Sequence, residues 1–538
     1  MRASLIQAFS ALRQGETIPF SRFPVDWTEE MLSEGGVTSI VRGSRKSLKV
    51  ISRAAFDVYL RSKGLQPDKL EETVSVLSGA DSRAQQVQFL GDSKAVAVRS
   101  CPGFPVCALE KKISLKAVSA EGISSPTMKA SAEFVAQCLR ASGIDNARVE
   151  QAVQEDGTPG AWEVVGQKDV GSDKTVFLYA HHDVQPAGEE SAWKTPPFKG
   201  VVEGGRLYGR GSSDDGGGIM THVGALTALK GNLKCNVKVF IEGEEEMGSP
   251  SFLPFLNAHP DYFDADVMFI TDSSNWSAKI PSLTSSLRGN VTMDVTVRCL
   301  GHPVHSGTFG GPILDANTLS CMLVSSFYDK DGNIAVPGLL QSEPIGGLKE
   351  DLNEDDFRKD SSLLPSCRLA GSGSLASRLW TKPAIALTGM DIRPVKEAFN
   401  QLASECTFRL SARISPLQKA EDAAQALKDF IVKKAPFGCQ VEVRVLETGT
   451  GWAMDPHNPV ALKAEKCFQE VFGCAPENKG EGGSIPMIPI LQAKFPKAAV
   501  LVDGPEDPLT NAHAPNESQD LSELRGDMEA EALILSSL

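Results

Sequence analysis

The sequence has no paired cysteines, no long apolar run and no excess of basic residues. Its 11 cysteines are scattered singly, without a Cys-x-x-Cys pair or the density of a disulfide scaffold. No segment approaches the run of about 20 apolar residues that a membrane helix needs. We therefore expect reduced thiols, no metal site built from cysteines and no membrane partner.

The charge balance limits the partners further. The chain has 54 basic and 68 acidic residues, a formal net charge of -14. A protein that binds nucleic acid without regard to sequence needs an electropositive surface to engage the phosphates. We therefore expect no nucleic-acid partner.

The N-terminus carries no secretion signal that we recognise. Residues 1–20 lack an apolar core followed by a cleavage-like site, so a cytoplasmic location is expected. Arg2 and Arg13, with no acidic residue before Glu16, leave an organelle-targeting segment as the alternative.

At 538 residues the chain exceeds one ordinary domain. Residues 1–114 form an N-terminal extension with helical patterns at 52–63 and 68–78, each closed by glycine. An accessory helical region and a poorly ordered extension both remain open for this segment, which has no chemical motif.

From residue 115 the pattern is that of an α/β domain. Ser125-Pro126 begins a helix that Gly143 ends, and strand-like segments follow it. Apolar runs at 175–180, 237–241 and 267–270 predict buried strands of a mostly parallel sheet.

The pattern changes at residue 289 and changes back at residue 453. Apolar and polar residues alternate from 291 to 297, the period of a half-exposed strand, and further strands and two helices follow. We therefore predict an α/β domain in two parts, 115–288 and 453–538, interrupted by an α+β domain at 289–452.

Polar clusters follow the three buried strands. His181 comes after the first, Glu244-Glu245-Glu246 after the second and Asp272 after the third, while Asp214 precedes a glycine-rich helix start. Open α/β sheets bind ligands at the carboxyl ends of their strands. The topology therefore predicts a site here, although a run of glutamates is more often a solvated surface.

These side chains suit a metal centre. Imidazole and carboxylate donors without thiolate favour zinc or manganese in an open hydrolytic site. Five ligands could hold two ions, about 3.5 to 4 Å apart, if one carboxylate is shared: His181, Asp214, Glu246, Asp272 and His513. Singly, each has a plainer interpretation as a structural histidine, a helix cap or a loop residue.

Asp183 and His182 flank this set. Asp183 could accept the second ring proton of His181 and fix its tautomer, as metal-bound histidines usually require. His182 would then point to the opposite side and serve a structural role.

Seven motifs together resemble the dinuclear-zinc metallopeptidase family of cytosolic dipeptidases and carnosinases, which also includes glutamate carboxypeptidase, aminoacylase and acetylornithine deacetylase. The resemblance covers about residue 115 to the C-terminus. The motifs are Tyr179-Ala180-His181-His182-Asp183-Val184-Gln185-Pro186, Gly209-Arg210-Gly211-Ser212-Ser213-Asp214-Asp215, Glu242-Gly243-Glu244-Glu245-Glu246-Met247-Gly248-Ser249, Thr271-Asp272, His305-Ser306-Gly307, Glu481-Gly482-Gly483-Ser484-Ile485-Pro486 and Asn511-Ala512-His513.

The resemblance implies a role for each ligand, with two zinc ions per subunit. His181 and Asp272 would be terminal ligands of one ion, Glu246 and His513 of the other, and Asp214 the bridge. Glu245 would be the general base acting on the bridging water. Glu244 would then keep the plain surface interpretation, and Glu242 that of a structural or supporting carboxylate.

The resemblance implies that the two-part α/β domain is the catalytic domain and that the inserted α+β (ferredoxin-like) domain is a lid that forms a homodimer. His305 would enter the partner subunit's active site and stabilise the oxyanion, the plainer alternative being a turn histidine before Ser306. Arg413 would hold the substrate's carboxylate. Asn400 and the backbone of Gly483 and Ser484 are further substrate-contact candidates, for which structural roles are the alternative.

The motif forms favour a dipeptidase acting on small peptides. N-acyl amino acid deacylation and a non-catalytic dimeric homologue are the alternatives. The sequence departs from the family at two places, with Gly216 where lysine is common and Ala180 where glycine is common. Neither departure removes a ligand.

Overall fold

The computed structural model describes residues 105–538 except Ser484 and Pro486, together with three short N-terminal strands. These strands are β1 (Ile18–Pro19), β2 (Ile40–Gly43) and β3 (Lys46–Ile51), and they pair antiparallel in the order β1-β3-β2. The helices predicted at 52–63 and 68–78 lie outside the described residues.

Twelve α-helices are described in residues 105–538. They are α1 (Val106–Ile113), α2 (Pro126–Ser142), α3 (Gly216–Ala228), α4 (Phe252–Ala258), α5 (Ser306–Phe309), α6 (Ala316–Ser325), α7 (Glu354–Asp360), α8 (Leu375–Trp380), α9 (Ala420–Lys433), α10 (Pro459–Phe472), α11 (Met487–Lys494) and α12 (Leu521–Ser537).

The strands of the same region alternate with these helices. They are β4 (Arg148–Val153), β5 (Pro159–Lys168), β6 (Thr175–His181), β7 (Val201–Glu203), β8 (Arg206–Tyr208), β9 (Asn236–Glu242), β10 (Val267–Thr271), β11 (Ser282–Leu287), β12 (Gly289–Arg298), β13 (Val304–His305), β14 (Ala384–Met390), β15 (Gln401–Leu402), β16 (Glu405–Ile414), β17 (Gln440–Gly449), β18 (Trp452–Ala453), β19 (Glu477–Glu481), β20 (Ala499–Asp503) and β21 (Ser518–Asp520).

A six-stranded sheet in the order β20-β10-β6-β9-β5-β4 forms the centre of the predicted two-part α/β domain. The first four strands are parallel to one another, whereas β5 and β4 run antiparallel at one edge. Every residue of β10 and β20 is buried, as in strands covered on both faces. The predicted mostly parallel sheet is confirmed.

Local signals explain where the helices begin and end. The side chain of Ser125 accepts a hydrogen bond from the backbone amide of Met128, Pro126 occupies the first position of α2, and Gly143 ends the helix with a left-handed backbone. Asp215 caps α3 in the same way, through a 3.0 Å bond from the amide of Gly218. The α3 helix thereby starts at the edge of the site.

The inserted domain is a four-stranded antiparallel sheet in the order β14-β16-β12-β17. Alternate residues of β12 are buried, from Val291 to Val297, and pack with Leu323 of α6 and Leu427 of α9 in a separate hydrophobic core. This is the predicted α+β architecture. The domain boundaries at 115, 289 and 453 stay predictions.

The core around the six-stranded sheet extends to α1, which precedes residue 115. Leu109 and Ile113 are buried in the same cluster as the residues of the central sheet. A bilayer-spanning helix is not found among the described residues.

Candidate metal centre

Three neighbouring strands bring the predicted side chains to one edge of the sheet. Strand β6 lies between β10 and β9 and ends at His181, β10 is followed by Asp272, and β9 leads into a single helical turn at Glu245–Met247. Because the three strands are parallel, their carboxyl ends face the same way.

Two groups of potential metal ligands share Asp214. The first consists of His181, Asp214 and Asp272, the second of Asp214, Glu246 and His513. Within each group the donor atoms all lie within 4.8 Å of one another. All five predicted ligands are therefore brought together.

The two oxygens of Asp214 face opposite partners. Oδ1 lies 3.1 Å from Nε2 of His181, and Oδ2 lies 2.8 Å from Nε2 of His513. Asp272 Oδ1 is 3.6 Å from the same His181 nitrogen, and Glu246 Oε2 is 3.1 Å from the same His513 nitrogen. A carboxylate between two imidazoles is the arrangement that a bridging ligand requires.

The donor chemistry fits hard or borderline divalent ions. Each group combines one imidazole nitrogen with two carboxylates and no thiolate. The negative side chains also bind positive charge strongly, since Asp214 and Glu246 raise the pKa of His513 to about 11. The second group thus stabilises positive charge.

Glu245 lies beside the ligands without belonging to either group. Burial, followed by the charge of Asp272, raises the pKa of its carboxyl well above the ordinary value. A raised pKa makes this carboxylate a better proton acceptor, as a general base needs to be.

Asp183 connects two parts of the site. It is fully buried, and its Oδ1 lies 3.2 Å from Nδ1 of His181. Its two oxygens also accept hydrogen bonds from the backbone amides of Glu245 and Glu246, at 3.2 and 3.1 Å. The backbone carbonyl of Asp183 also lies 3.2 Å from Nδ1 of His181. One residue therefore orients the histidine, through its carbonyl and its carboxylate, and holds the turn that carries both glutamates.

Glu517 supports the loop before Asp214, and sequence reasoning missed it. Its carboxylate accepts hydrogen bonds from Arg210 Nη1 at 2.6 Å and from the backbone amides of Gly211, Ser213 and Asp214 at 3.0 to 3.3 Å. The sequence signal that could have pointed to Glu517 is its position, four residues after the predicted ligand His513.

Gln185 belongs to the first motif, and the resemblance implied no role for it. Its backbone amide donates to Glu246 Oε1 at 3.1 Å, and its side-chain amide donates to Oε2 at 2.8 Å. Both oxygens of this potential ligand are thereby oriented by one residue.

The surface interpretation of Glu244 is wrong. Its side chain is fully buried and accepts hydrogen bonds from the backbone amide and hydroxyl of Ser251. Glu242 is buried too and accepts a 2.7 Å bond from the hydroxyl of Tyr179. His182 belongs to neither ligand group, and its Nε2 donates a 2.7 Å hydrogen bond to the carbonyl of Trp162, which is a structural contact.

The two departures from the family pattern are accommodated by close packing. A β-carbon at Gly216 would lie 2.7 Å from Cδ1 of Leu109, so α1 occupies the space of a side chain there. Ala180 is fully buried in β6.

His305 and Asn400 are neighbours on the lid. His305 pairs with Gln401 through β13 and β15, and the amide of Ser306 donates to the carbonyl of Asn400 at 3.3 Å. His305 is exposed, and its Nδ1 accepts a 3.1 Å bond from the amide of Gly307. The bond is that of a turn histidine, and it leaves Nε2 available.

Arg413 lies near a second arginine that sequence reasoning missed. Arg288 is buried, and its Nε donates to the carbonyl of Gly482 at 3.1 Å. Burial, followed by the charge of Arg413, lowers the pKa of Arg288 to about 10. Neither arginine has a carboxylate partner within the described residues, so their charges are not balanced by an ion pair there.

The loop after β19 contains two of the predicted substrate contacts, Gly483 and Ser484. Gly483 is exposed two residues after Glu481, whereas Ser484 lies outside the described residues.

Comparison with known proteins gives consistent matches. A model of peptidase family M20/M25/M40 matches residues 177–536. The chain is 33% identical over 416 residues to a cysteinylglycine-S-conjugate dipeptidase of Corynebacterium striatum, spanning 76% of this chain and 90% of that protein. It is 30% identical over 350 residues to a beta-Ala-His dipeptidase of Rattus norvegicus, spanning 61% of this chain and 70% of that protein.

A solved structure shares the fold. The di-peptidase Dug1p from Saccharomyces cerevisiae superimposes with a TM-score of 0.63 at 23% sequence identity, over 80% of this chain and 94% of that one.

Proposed function

The chain belongs to peptidase family M20/M25/M40 and is a metal-dependent peptidase, and we propose that it cleaves dipeptides. The observation that carries the proposal is the pair of ligand groups joined by Asp214, with Glu245 beside them. The dipeptidase names of the two relatives support the substrate class.

We assign one ion to each ligand group. His181 and Asp272 would hold the first, Glu246 and His513 the second, and Asp214 would bridge them. When bound, divalent ions supply Lewis acidity and make water a nucleophile near neutral pH. Zinc suits the mixed nitrogen and oxygen donors, and manganese is the second possibility.

Glu245 moves the proton in this proposal. Its carboxylate accepts a proton from the attacking water and donates it to the amine that leaves. The hydrogen bonds from the backbone amides of Glu245 and Glu246 to Asp183 keep the two side chains in fixed positions. One glutamate can then bind metal while its neighbour stays free.

The lid completes the site in our proposal. A dipeptide has a free carboxylate, which Arg413 and Arg288 would bind with charge-assisted hydrogen bonds. His305, which is exposed, would act in the partner subunit of a homodimer and stabilise the developing oxyanion. Asn400, held beside the His305 turn, and Gly483 would contact the substrate.

Two alternatives have less support. N-acyl amino acid hydrolysis uses the same metal chemistry, but the two relatives are dipeptidases by name. A non-catalytic binding protein would have no use for a free carboxylate of raised pKa beside two metal-ligand groups. We also propose a cytosolic location, which fractionation of tagged cells would test.

Metal removal and reloading test the function directly. The protein, dialysed against a chelator, should lose turnover of a dipeptide panel and regain it with zinc or manganese, with two ions bound per subunit. N-acetyl amino acids, offered under the same conditions, should be poor substrates. Turnover that survives complete metal removal would overturn the proposal, and preference for acyl substrates would favour deacylation.

A further inference from the structure

The side chain of Glu246 is held by one residue, Gln185. The backbone amide of Gln185 donates to Glu246 Oε1 at 3.1 Å. Its side-chain amide donates to Oε2 at 2.8 Å and to the backbone carbonyl of Glu246 at 3.4 Å. The Glu246 side chain is only 4% exposed. Because both oxygens of this buried carboxylate accept hydrogen bonds from the same residue, the carboxylate has one fixed orientation.

These hydrogen bonds leave Glu246 able to bind a cation. Each carboxylate oxygen can accept more than one bond, and Gln185 donates one to each. Oε2 also lies 3.1 Å from Nε2 of His513, the other terminal ligand proposed for the second group. The oxygen that the Gln185 side chain orients is therefore the one that faces the second ligand group.

His513, by contrast, is not oriented by a supporting residue. Its side chain is 57% exposed, and its ring contacts in the part of the chain that the structure describes are Asp214 and Glu246, both through Nε2. Histidine ligands usually donate from their other ring nitrogen to an acceptor, and Nδ1 of His513 has none among the described residues. Glu246 is thus the terminal ligand that the protein fixes in the second group.

The first ligand group is supported through its histidine instead. His181 is buried, and its Nδ1 lies 3.2 Å from Oδ1 of Asp183. Asp272 lies 3.6 Å from Nε2 of His181, and within the described residues its carboxylate accepts no hydrogen bond from an amide or a hydroxyl. Each group therefore has one terminal ligand that a neighbouring residue holds in place, His181 in the first and Glu246 in the second.

We propose that Gln185 is the positioning residue of the second ion, and that its side-chain amide, by fixing Glu246, sets the affinity of the second ligand group and not of the first. The proposal rests on the metal centre proposed above. Gln185 thereby does for the side chain of Glu246 what Asp183 does for His181.

The first test is a zinc titration at pH 7 in competition with a chromophoric chelator. Gln185→Met keeps the length of the side chain and the backbone amide but removes the side-chain donor. One of the two zinc ions should bind about 10- to 100-fold more weakly than in wild type, and the other should bind as before. Gln167→Met, at an exposed position, should match wild type for both ions.

A double variant identifies which ligand Gln185 acts through. Glu246→Gln should bind one ion, held by the first group. Adding Gln185→Met to Glu246→Gln should weaken that remaining ion no further, because the residue through which Gln185 acts has already been replaced. A side chain needed only for packing would cause the same loss in both backgrounds.

A second neutral variant covers the case in which Gln185→Met does not fold. Gln185→Asn keeps the amide but is one methylene shorter, so its nitrogen does not reach Glu246 Oε2. It should show the same selective loss of one ion.

The outcomes separate this proposal from the metal centre itself. Unchanged zinc binding in Gln185→Met and Gln185→Asn, or equal weakening of both ions, would overturn the role of Gln185. A further loss in the double variant would also overturn it, since Gln185 would then act other than through Glu246. Failure of wild type to bind two ions would instead overturn the proposed metal centre.

Discussion

The carboxylate of Asp183 accepts a hydrogen bond from the backbone amide of Glu245, with 3.2 Å between Asp183 Oδ1 and the nitrogen. These residues follow different strands, β6 and β9, which pair in parallel. The same oxygen lies 3.2 Å from Nδ1 of His181. The proposed base and the first proposed ligand are therefore positioned by one buried acid.

Replacing Asp183 by Asn should disturb the position of Glu245 and the orientation of His181 at once. The amide keeps the shape but places an NH2 group opposite either an N–H of the turn or the imidazole of His181, so one donor loses its acceptor. We expect activity and zinc affinity each to fall about 10- to 100-fold. Steady-state kinetics and chelator competition measure the two effects, with the exposed Asp173→Asn as control. Wild-type values for both would contradict the role of Asp183.

Glu245→Gln should separate chemistry from metal binding. The amide cannot accept the proton of the attacking water, so kcat should fall by about 10²- to 10⁴-fold. Metal content should stay at two ions per subunit, whereas Glu246→Gln should lose one. Elemental analysis beside kinetics checks both. Loss of metal in Glu245→Gln would show that the two glutamates have been assigned the wrong way round.

The adjacent Glu244 offers a contrast, because it is buried against Ser251 rather than at the ligands. Glu244→Ala removes the acceptor of the Ser251 amide, and an unsatisfied buried donor costs about 1 to 3 kcal/mol of folding stability. Urea unfolding of the metal-loaded protein should show this loss. A Glu244 variant with full stability and abolished turnover would place that residue in the chemistry instead.

Mixing two inactive variants tests whether His305 acts on the partner subunit. A heterodimer of His305→Ala with Glu245→Gln would contain one site with both residues intact, and random exchange should restore about a quarter of wild-type activity. The exposed neighbour His302→Ala should leave the activity unchanged. No recovery after demonstrated subunit exchange would mean that His305 acts within its own subunit or not at all.

The two arginines should recognise the substrate's carboxylate. Arg413→Met and Arg288→Met should each raise KM about 10- to 100-fold, because each removes charge-assisted hydrogen bonds to the carboxylate. Dipeptide amides, which lack the carboxylate, should show little further loss in either variant. The exposed Arg444→Met, which loses only its pairing with Asp294, is the control. An equal loss on free and amidated dipeptides would argue against this contact.

Asp503 should make the metal-free protein less stable as pH rises. Burial raises its pKa from 3.8 to about 8, so the native state keeps a proton that the unfolded chain has already lost. Because the unfolded state then binds fewer protons, stability falls by about 1.4 kcal/mol per pH unit from this group between pH 5 and 7.

Asp503→Asn should remove that part of the slope. Urea unfolding after chelation at pH 5, 6 and 7 measures it, and Asp173→Asn should keep the wild-type slope because Asp173 is exposed. Equal slopes in Asp503→Asn and wild type would show that Asp503 is ionised in the native protein.

The sequence by itself determined the architecture and the neighbourhood of the site. Apolar periodicity and helix-stop signals are local, so the buried strands β6, β9 and β10 and the helix α2 could be located from nearby residues alone. Since parallel strands present their carboxyl ends at one edge, the order of His181, Glu246 and Asp272 after those strands already predicted that they meet.

The tertiary structure decided what each charged side chain does there. Three adjacent glutamates look alike in the sequence, and only packing against Ser251 and Asp183 showed that Glu244 is buried and that the turn of Glu245 and Glu246 is held in place. Arg288 had no local signal either, because its burial and its electrostatic neighbours come from residues distant in the chain. Periodicity records which face of an element is apolar, whereas the function of a buried charge depends on the charges that the fold places around it.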